Sequence, residues 1–206
     1  MSNKIKIGID AMGGENSPKK ILDGIEIFIK KNLNNTFFLY GDQNILKKEI
    51  SNRKSIHKFC EIIDSPITIS DDESPLAAAK RGKESSMWKS IESQKINKTD
   101  ISLSAGNTGA LLVMSRLILK TIEGIEKPAL AGLWPNEKNM NIVLDLGANI
   151  DCNEKNLTDF ACMGSALFKS LYPEFDPKAA LLNVGLEEHK GKDSLKKAFS
   201  ILKENK

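Results

Sequence analysis

The densest group of residues able to do chemistry is Ser104-Ala105-Gly106-Asn107-Thr108-Gly109, which puts two hydroxyls, an amide and two glycines between an apolar run and a helical pattern. Unpaired backbone N–H groups and the positive end of the following helix can face an anion there, so phosphate or an oxyanion is the ligand chemistry that fits. The same residues also suit a purely structural turn, with Thr108 capping the helix and the glycines allowing a tight bend. The segment is not the G-x-x-x-x-G-K-[ST] phosphate loop, and Gly8 to Gly14 does not fit G-x-G-x-x-G, so nucleotide binding has no motif behind it.

A second candidate anion contact is Lys80-Arg81-Gly82-Lys83 with Ser85 and Ser86, where a continuous helix would put Arg81 and Ser85 on one face. Its structural alternative is a solvated charged face. Asp10 and Asp145 each end an apolar run, and a carboxylate there either accepts from loop amides or takes part in a site. Asn183 to Gly191 is another polar turn after an apolar run, carrying Glu187, Glu188, His189 and Lys190. His57 lies in a polar stretch, and no Ser–His–Asp or Cys–His set can be assembled from the spacing.

The elements that must position these residues follow from periodicity. Lys4 to Asp10, Thr36 to Tyr40, Phe59 to Ile63, Ile101 to Leu103, Pro128 to Trp134, Ile142 to Leu146 and Ala179 to Val184 read as strands, with Ile142 to Leu146 a buried one. Helices are expected after the start signal Ser17-Pro18, over 44–50, over 75–93 after Ser74-Pro75, after Gly109, along the stripe Leu157 to Leu171, and over 193–202. Strands alternating with helices predict an α/β fold, a mainly parallel sheet with helices on both faces, in one domain over 1–206. In such sheets ligands bind beyond the carboxyl ends of the strands, where Asp10–Gly14, Ser104–Gly109, Asp145–Asp151 and Asn183–Gly191 all fall.

Composition narrows the class. With 206 residues, 40% hydrophobic and 28% charged, the chain can bury a sizeable core, which excludes disorder and collagen-like repeats. A net charge of +3, spread along the chain, with only 6% aromatics argues against a nucleic-acid partner. No apolar stretch reaches membrane-spanning length and no signal-peptide core follows the start, so a cytoplasmic location is expected. Cys60, Cys152 and Cys162 form an odd set without C-x-x-C spacing, which suggests neither disulfides nor a zinc site. Cys162 sits beside an apolar stripe and reads as core.

Several motifs occur together and in order: Asp10-Ala-Met-Gly-Gly14, Arg81-x-Lys83-x-Ser85-Ser86-Met87, Ser104-Ala-Gly-Asn-Thr-Gly-Ala110, Gly124-Ile-Glu-Lys-Pro-Ala129, Leu144-Asp-x-Gly-Ala-Asn-x-Asp151, Phe160-Ala-x-Met-Gly-Ser165 and Leu182-Asn-Val-Gly-x-Glu187-x-x-Lys190-Gly191. Along nearly the whole chain they resemble the PlsX family of bacterial phosphate acyltransferases. The resemblance implies a Rossmann-like fold of the phosphotransacetylase and isocitrate-dehydrogenase type. It also implies a reaction in which inorganic phosphate attacks the thioester of a long-chain acyl carrier protein, yielding acyl phosphate for phospholipid synthesis without metal or organic cofactor.

Asn107, Thr108 and Lys190 are then the expected catalytic residues. Asp10, Gly13, Gly14, Arg81, Lys83, Ser85, Ser86, Ser104, Gly106, Gly109, Asp145, Asn149, Asp151, Asn183 and Glu187 are expected to contact substrate. Replacing Asn107 or Thr108 is expected to affect turnover far more than stability, and Arg81 is expected to steer the acidic carrier protein or hold phosphate. The implied partners also include a second copy of the complete chain and a membrane-associated downstream acyltransferase, with peripheral membrane association.

Two departures from the family pattern stand out. Glu15 occupies the place of the family's aspartate, and family members continue beyond this sequence with an Asp-Gly-Phe-Thr-Gly-Asn stretch and further helices. The chain is therefore expected to be an amino-terminal portion, less stable than the whole and weakly active by itself. The alternatives are a phosphotransacetylase-like enzyme using an acyl-CoA, a related NAD-dependent dehydrogenase, for which no fingerprint is present, and a non-catalytic domain that only binds a partner.

Overall fold

Alternation along Ile5–Asp10 sends Ile7 and Ile9 to one face of a strand and leaves Gly8 and Asp10 on the other, which sets up a sheet covered on both sides. The computed structural model describes residues 4–137, 139–185, 187 and 190–204. Two compact units form, Met1–Lys120 and Thr121–Lys206.

In the first unit β1 (Ile5–Asp10), α1 (Lys19–Ile29), β2 (Asn35–Gly41), α2 (Gln43–Ser51), β3 (Cys60–Asp64), α3 (Pro75–Arg81), α4 (Ser86–Lys95), β4 (Ile101–Ser104) and α5 (Thr108–Leu119) follow in chain order. The four strands are all parallel, in the order β3-β2-β1-β4. The register sets Ile7 beside Phe37 and Ile9 beside Leu39, and these four meet Leu22, Ile25 and Ile29 of α1 and Leu46 and Ile50 of α2 in one core. On the other face α4 comes so close that a Cβ on Gly8 would stand 3.0 Å from Ser93 Oγ and 3.2 Å from Thr99 Oγ1, so a larger residue there would push those side chains aside. A second apolar cluster joins α3, α4 and α5 through Ala78, Met87, Ile91, Ala110 and Met114.

The helix starts are held by side chains that spare their first amides. Asp42 accepts from Asn44 N at 2.8 Å for α2, Ser74 from Ala77 N for α3, Ser85 from Trp88 N for α4 and Asn107 from Ala110 N for α5.

Three expectations need correction. The helix over 75–93 is two helices, because the chain turns through a 3-10 segment at Gly82–Glu84 and Ser85 starts a new helix. Gly82 sits where a Cβ would be 2.8 Å from Met114 Cε, so the bend is packed into the core and Arg81 and Ser85 do not share a helical face. In the second unit, Pro128 to Trp134 and Ile142 to Leu146 contract to β5 (Gly132–Pro135) and β6 (Met140–Val143), an antiparallel pair instead of members of the parallel sheet, with no residue fully buried. Ala179 to Val184 is not a strand; Leu182 is 92% exposed, and without a ladder partner an apolar run need not extend. The unit's helices, α6 (Glu154–Leu171) and α7 (Asp193–Glu204), match the expected ones, and Asn153 with Asn156 forms a capping box at the start of α6.

The cysteines divide by environment. Cys60 packs against the first core and burial pushes its thiol up to about 12, whereas Cys162 is exposed on α6 instead of buried in the core. Alkylation with iodoacetamide at mildly alkaline pH is expected to label Cys162 well before Cys60, as read by peptide mass spectrometry, because raising a thiol from its usual 9.0 to about 12 leaves about a thousandfold less thiolate. Equal labelling would show that Cys60 is not held in the core.

Candidate functional site

β1 has neighbours reached in opposite directions, β2 through α1 on one side and β4 on the other, so the first unit has a topological switch point between β1 and β4. Asp10 ends β1 directly beside Ser104, which ends β4. Ser104 Oγ donates to Asp10 Oδ2 at 2.7 Å and accepts from Gly106 N at 3.1 Å, while Met12 N donates to Asp10 Oδ1 at 3.3 Å. One carboxylate thus ties the turn after β1 to the turn after β4, across 94 residues of sequence.

The two turns touch through backbone. A Cβ on Gly13 would lie 3.0 Å from Gly106 N, and one on Gly14, whose φ is +79°, would lie 2.2 Å from Ala105 O. Gly106 in turn lies against the Cα of Gly13 and the methyl of Met87. Any side chain at these glycines would drive the strand ends apart, which is the physical content of the two Gly-containing motifs.

Asp10 is 1% exposed, and burial raises its carboxyl above the ordinary aspartate range, partly offset by hydrogen bonds from Ser104 and the Met12 and Gly13 amides and by the nearby Ser86 hydroxyl. Ser86 Oγ is close enough to favour the carboxylate but is not within hydrogen-bond geometry of any partner among the described residues; Ser90 Oγ, one turn further along α4, is buried and unpaired in the same way. Asp10 is therefore an internal brace beneath the turns, walled off from solvent.

Asn107 is committed as well. Its Oδ1 caps α5 at Ala110 N, 2.9 Å away, and its Nδ2 donates to the carbonyls of Ser70, Asp71 and Glu73 at 3.2, 3.1 and 2.8 Å. The amide that spacing offered as an oxyanion donor holds the 70–73 loop instead, and Asn107, not Thr108, is the cap. Thr108 is exposed in the first turn of α5. Gly109 lies against Pro75: a Cβ there would stand 2.5 Å from Pro75 Cγ, which brings the starts of α3 and α5 together.

Arg81 is paired to Glu73 through two of its nitrogens, and that pairing lowers the Glu73 carboxyl. Arg81 is half exposed while the Glu73 side chain is mostly covered, and the pair adds to the ties on the 70–73 loop. Lys83 is exposed, and Ser85 is fully buried as the cap of α4. Glu73, Ser90 and the three carbonyls were not singled out by spacing; an acid eight residues before Arg81 is the one local signal that pointed to the ion pair.

The second unit holds its own cluster. Asp145 Oδ1 accepts from Leu130 N at 2.8 Å, and Oδ2 accepts from Asn149 N at 2.6 Å and Asn149 Nδ2 at 2.9 Å; Asn149 Nδ2 also reaches Pro128 O. The 145–149 loop is thereby fastened to 128–130. The carbonyl of Asp151 receives Lys127 Nζ at 2.8 Å. Asn156 Nδ2 donates to Glu126 Oε2, and Lys155 bridges Asp159 and Gly124 O, so the Gly124-Ile-Glu-Lys motif is pinned to the start of α6. Lys190 pairs with Glu187 at 2.7 Å, and Asn183 Nδ2 donates to the Lys190 carbonyl. Glu188 and His189 lie outside the described residues.

The family model described as fatty acid synthesis protein matches residues 5–206, and a phosphate acyltransferase from Pelagibacter ubique (strain HTCC1062) is 55% identical over 98% of this chain and 60% of its own length. The chain belongs to the fatty acid synthesis protein family. A phosphate acyltransferase from Xanthobacter autotrophicus (strain ATCC BAA-1158 / Py2) is 38% identical over 99% of the chain and 58% of its own length. The resemblance to PlsX phosphate acyltransferases read from the motifs agrees with these names. As a member of the fatty acid synthesis protein family, the chain spans about 60% of the length of the curated relatives it matches.

Two solved structures share the fold. The EutD phosphotransacetylase from Staphylococcus aureus superposes with a TM-score of 0.69 at 17% identity, covering 98% of this chain and 64% of that one. A phosphotransacetylase from Streptococcus pyogenes gives 0.66 at 16% identity, covering 98% and 66%. The α/β fold of mainly parallel type is that of the phosphotransacetylases.

Proposed function

We propose that this chain contributes the phosphate-facing turns of an acyltransferase in which inorganic phosphate attacks the thioester carbonyl of a long-chain acyl carrier protein. An oxygen of phosphate forms the new bond to the carbonyl carbon, the C–S bond breaks, and the thiolate leaves with the carrier protein as acyl phosphate is released. A thiolate is a good leaving group, so the protein's main tasks are to orient a desolvated phosphate and to stabilise the oxyanion.

The observation that carries this reading is the Asp10–Ser104 tie at the switch point, which fixes two glycine turns side by side next to the start of α5. Asn107 takes the amides of Ala110 and Leu111, so Thr108 Oγ1 and the amides of Thr108 and Gly109 are the donors we assign to an anion on this side. Asp10, Ser104, Asn107 and the glycines act beneath them as positioning residues. Lys83 is kept as a substrate contact, with Arg81 holding the loop edge. Lys190, Asp145, Asn149, Asp151, Asn183 and Glu187 enter through the family resemblance. The proposed setting is the cytoplasm; among the described residues no helix is long and apolar enough to cross a membrane.

The test is a product assay on the full-length protein with long-chain acyl carrier protein and phosphate, trapping acyl phosphate as its hydroxamate. Phosphate-dependent hydroxamate is expected. Formation from acyl-CoA alone would favour the phosphotransacetylase-like alternative, and no product from either donor would overturn the reading.

A further inference from the structure

We infer that the outward face of α1 is the docking surface for the acidic carrier protein that brings the thioester. This inference rests on the reaction proposed above. Three features on that face oppose the stability of the chain by itself. Lys19 and Lys20 occupy the first turn, where a helix's positive end disfavours cations, and neither forms an ion pair among the described residues. Gly24 stands in mid-helix, exposed, with nothing within 4 Å of where its Cβ would be, so no packing inside the chain accounts for the helix propensity it gives up. Ile27, one turn on, is 67% exposed.

The acids of α1 do not cancel this charge. Asp23 Oδ1 receives Arg53 Nη1 at 2.6 Å, and Glu26 receives the same nitrogen at 3.1 Å and the Ser55 hydroxyl at 2.7 Å. Exposed Lys30 and Lys31 continue the basic rim at the far end. The result is a shallow groove lined by Asn16, Lys19, Lys20, Asp23, Gly24 and Ile27, with Lys19 and Lys20 at its amino-terminal end and the exposed Ile27 beside the space that Gly24 leaves open. An acidic helix with an apolar stripe fits it in charge and shape.

Position selects the occupant. A Cβ on Gly14 would stand 3.1 Å from Lys20 Nζ and 2.2 Å from Ala105 O, so the groove begins at the turn that abuts the Ser104–Gly109 segment. A partner seated along α1 is next to the switch point and can deliver a tethered acyl group there. Arg81, the other candidate for steering the carrier, is neutralised by Glu73.

The experiment measures binding of fluorescently labelled holo-acyl carrier protein to the full-length protein over a range of ionic strength. Two variants are compared with the parent, the double Lys19→Glu/Lys20→Glu and the single Gly24→Gln. Both are expected to weaken binding about 10-fold or more, and the double variant to flatten the salt dependence. Gly24→Gln is expected to melt at a higher temperature than the parent, so its loss of binding cannot be misfolding. Acyl phosphate formation from an acyl thioester of a small thiol should match the parent in both variants. Carrier affinity equal to the parent in both variants, or no carrier binding by the parent, overturns the inference. So does a loss confined to binding of phosphatidylcholine/phosphatidylglycerol vesicles, which would assign the face to an anionic membrane. If the parent makes no acyl phosphate from either donor, the reaction reading fails while the binding data still decide the docking face.

Discussion

Asn107→Asp is expected to destabilise the protein by about 2 kcal/mol or more in urea unfolding, even though aspartate caps helices as well as asparagine does. The cap at Ala110 N would survive, but the Nδ2 donor shared by the carbonyls of Ser70, Asp71 and Glu73 would be replaced by a second carboxylate oxygen facing those three oxygens. Asn107→Ala should cost a similar amount by losing both the cap and the loop ties. The expectation that an Asn107 substitution harms turnover much more than stability is thereby revised. Thr108→Val is the contrast: an exposed first-turn hydroxyl should leave unfolding within about 0.5 kcal/mol while acyl phosphate formation falls about 10-fold or more. A stable Asn107→Asp protein would show that the 70–73 loop is not held by that amide.

Asp10→Ala is expected to cost about 3 kcal/mol or more, because the Ser104 hydroxyl and the Met12 and Gly13 amides would lose their shared acceptor inside the fold. Both turns should loosen, and activity should fall with stability. The pH dependence has a definite sign. Burial raises the folded-state carboxyl of Asp10 above its unfolded value, so the folded state holds the proton more tightly. The contribution of this group is fully present below the unfolded pKa and declines as pH rises through the folded one. Asp10→Asn cannot titrate, so subtracting its unfolding free energy from that of the parent across pH 3 to 8 isolates the slope. A difference that rises with pH would mean that hydrogen bonding, and not burial, dominates at Asp10.

Unfolding also bears on how the site is built, since its residues contact one another over long stretches of sequence. Periodicity located nine of the thirteen α-helices and strands among the described residues closely because an amphipathic face is a local property: Ile7 and Ile9 alternate whatever they pack on, and Leu22, Ile25 and Ile29 recur with the helix whichever sheet covers them. The strand-end turns with their glycines were legible for the same reason, and the Asp10, Ser104 and Gly106 positions stand together as that pattern required.

What each polar group does was not legible. Asp10 meets Ser104 at a separation of 94 residues and Asn107 meets the Ser70 carbonyl at 37, and residue type alone cannot say whether a donor is spent inside the fold or left for a ligand. The break at Gly82 was hidden because the apolar spacing runs through it, and the bend is decided by Met114 and Ile69 closing on the glycine. The run Ala179 to Val184 shows the converse, since apolar β-branched and aliphatic residues make a strand only when a neighbouring strand takes up their backbone hydrogen bonds. The sequence by itself therefore determined which segments are amphipathic, where the turns fall and which family the chain resembles. Tertiary structure alone decided which carboxylates, amides and cations are consumed as braces, because that depends on contacts between residues far apart in the chain.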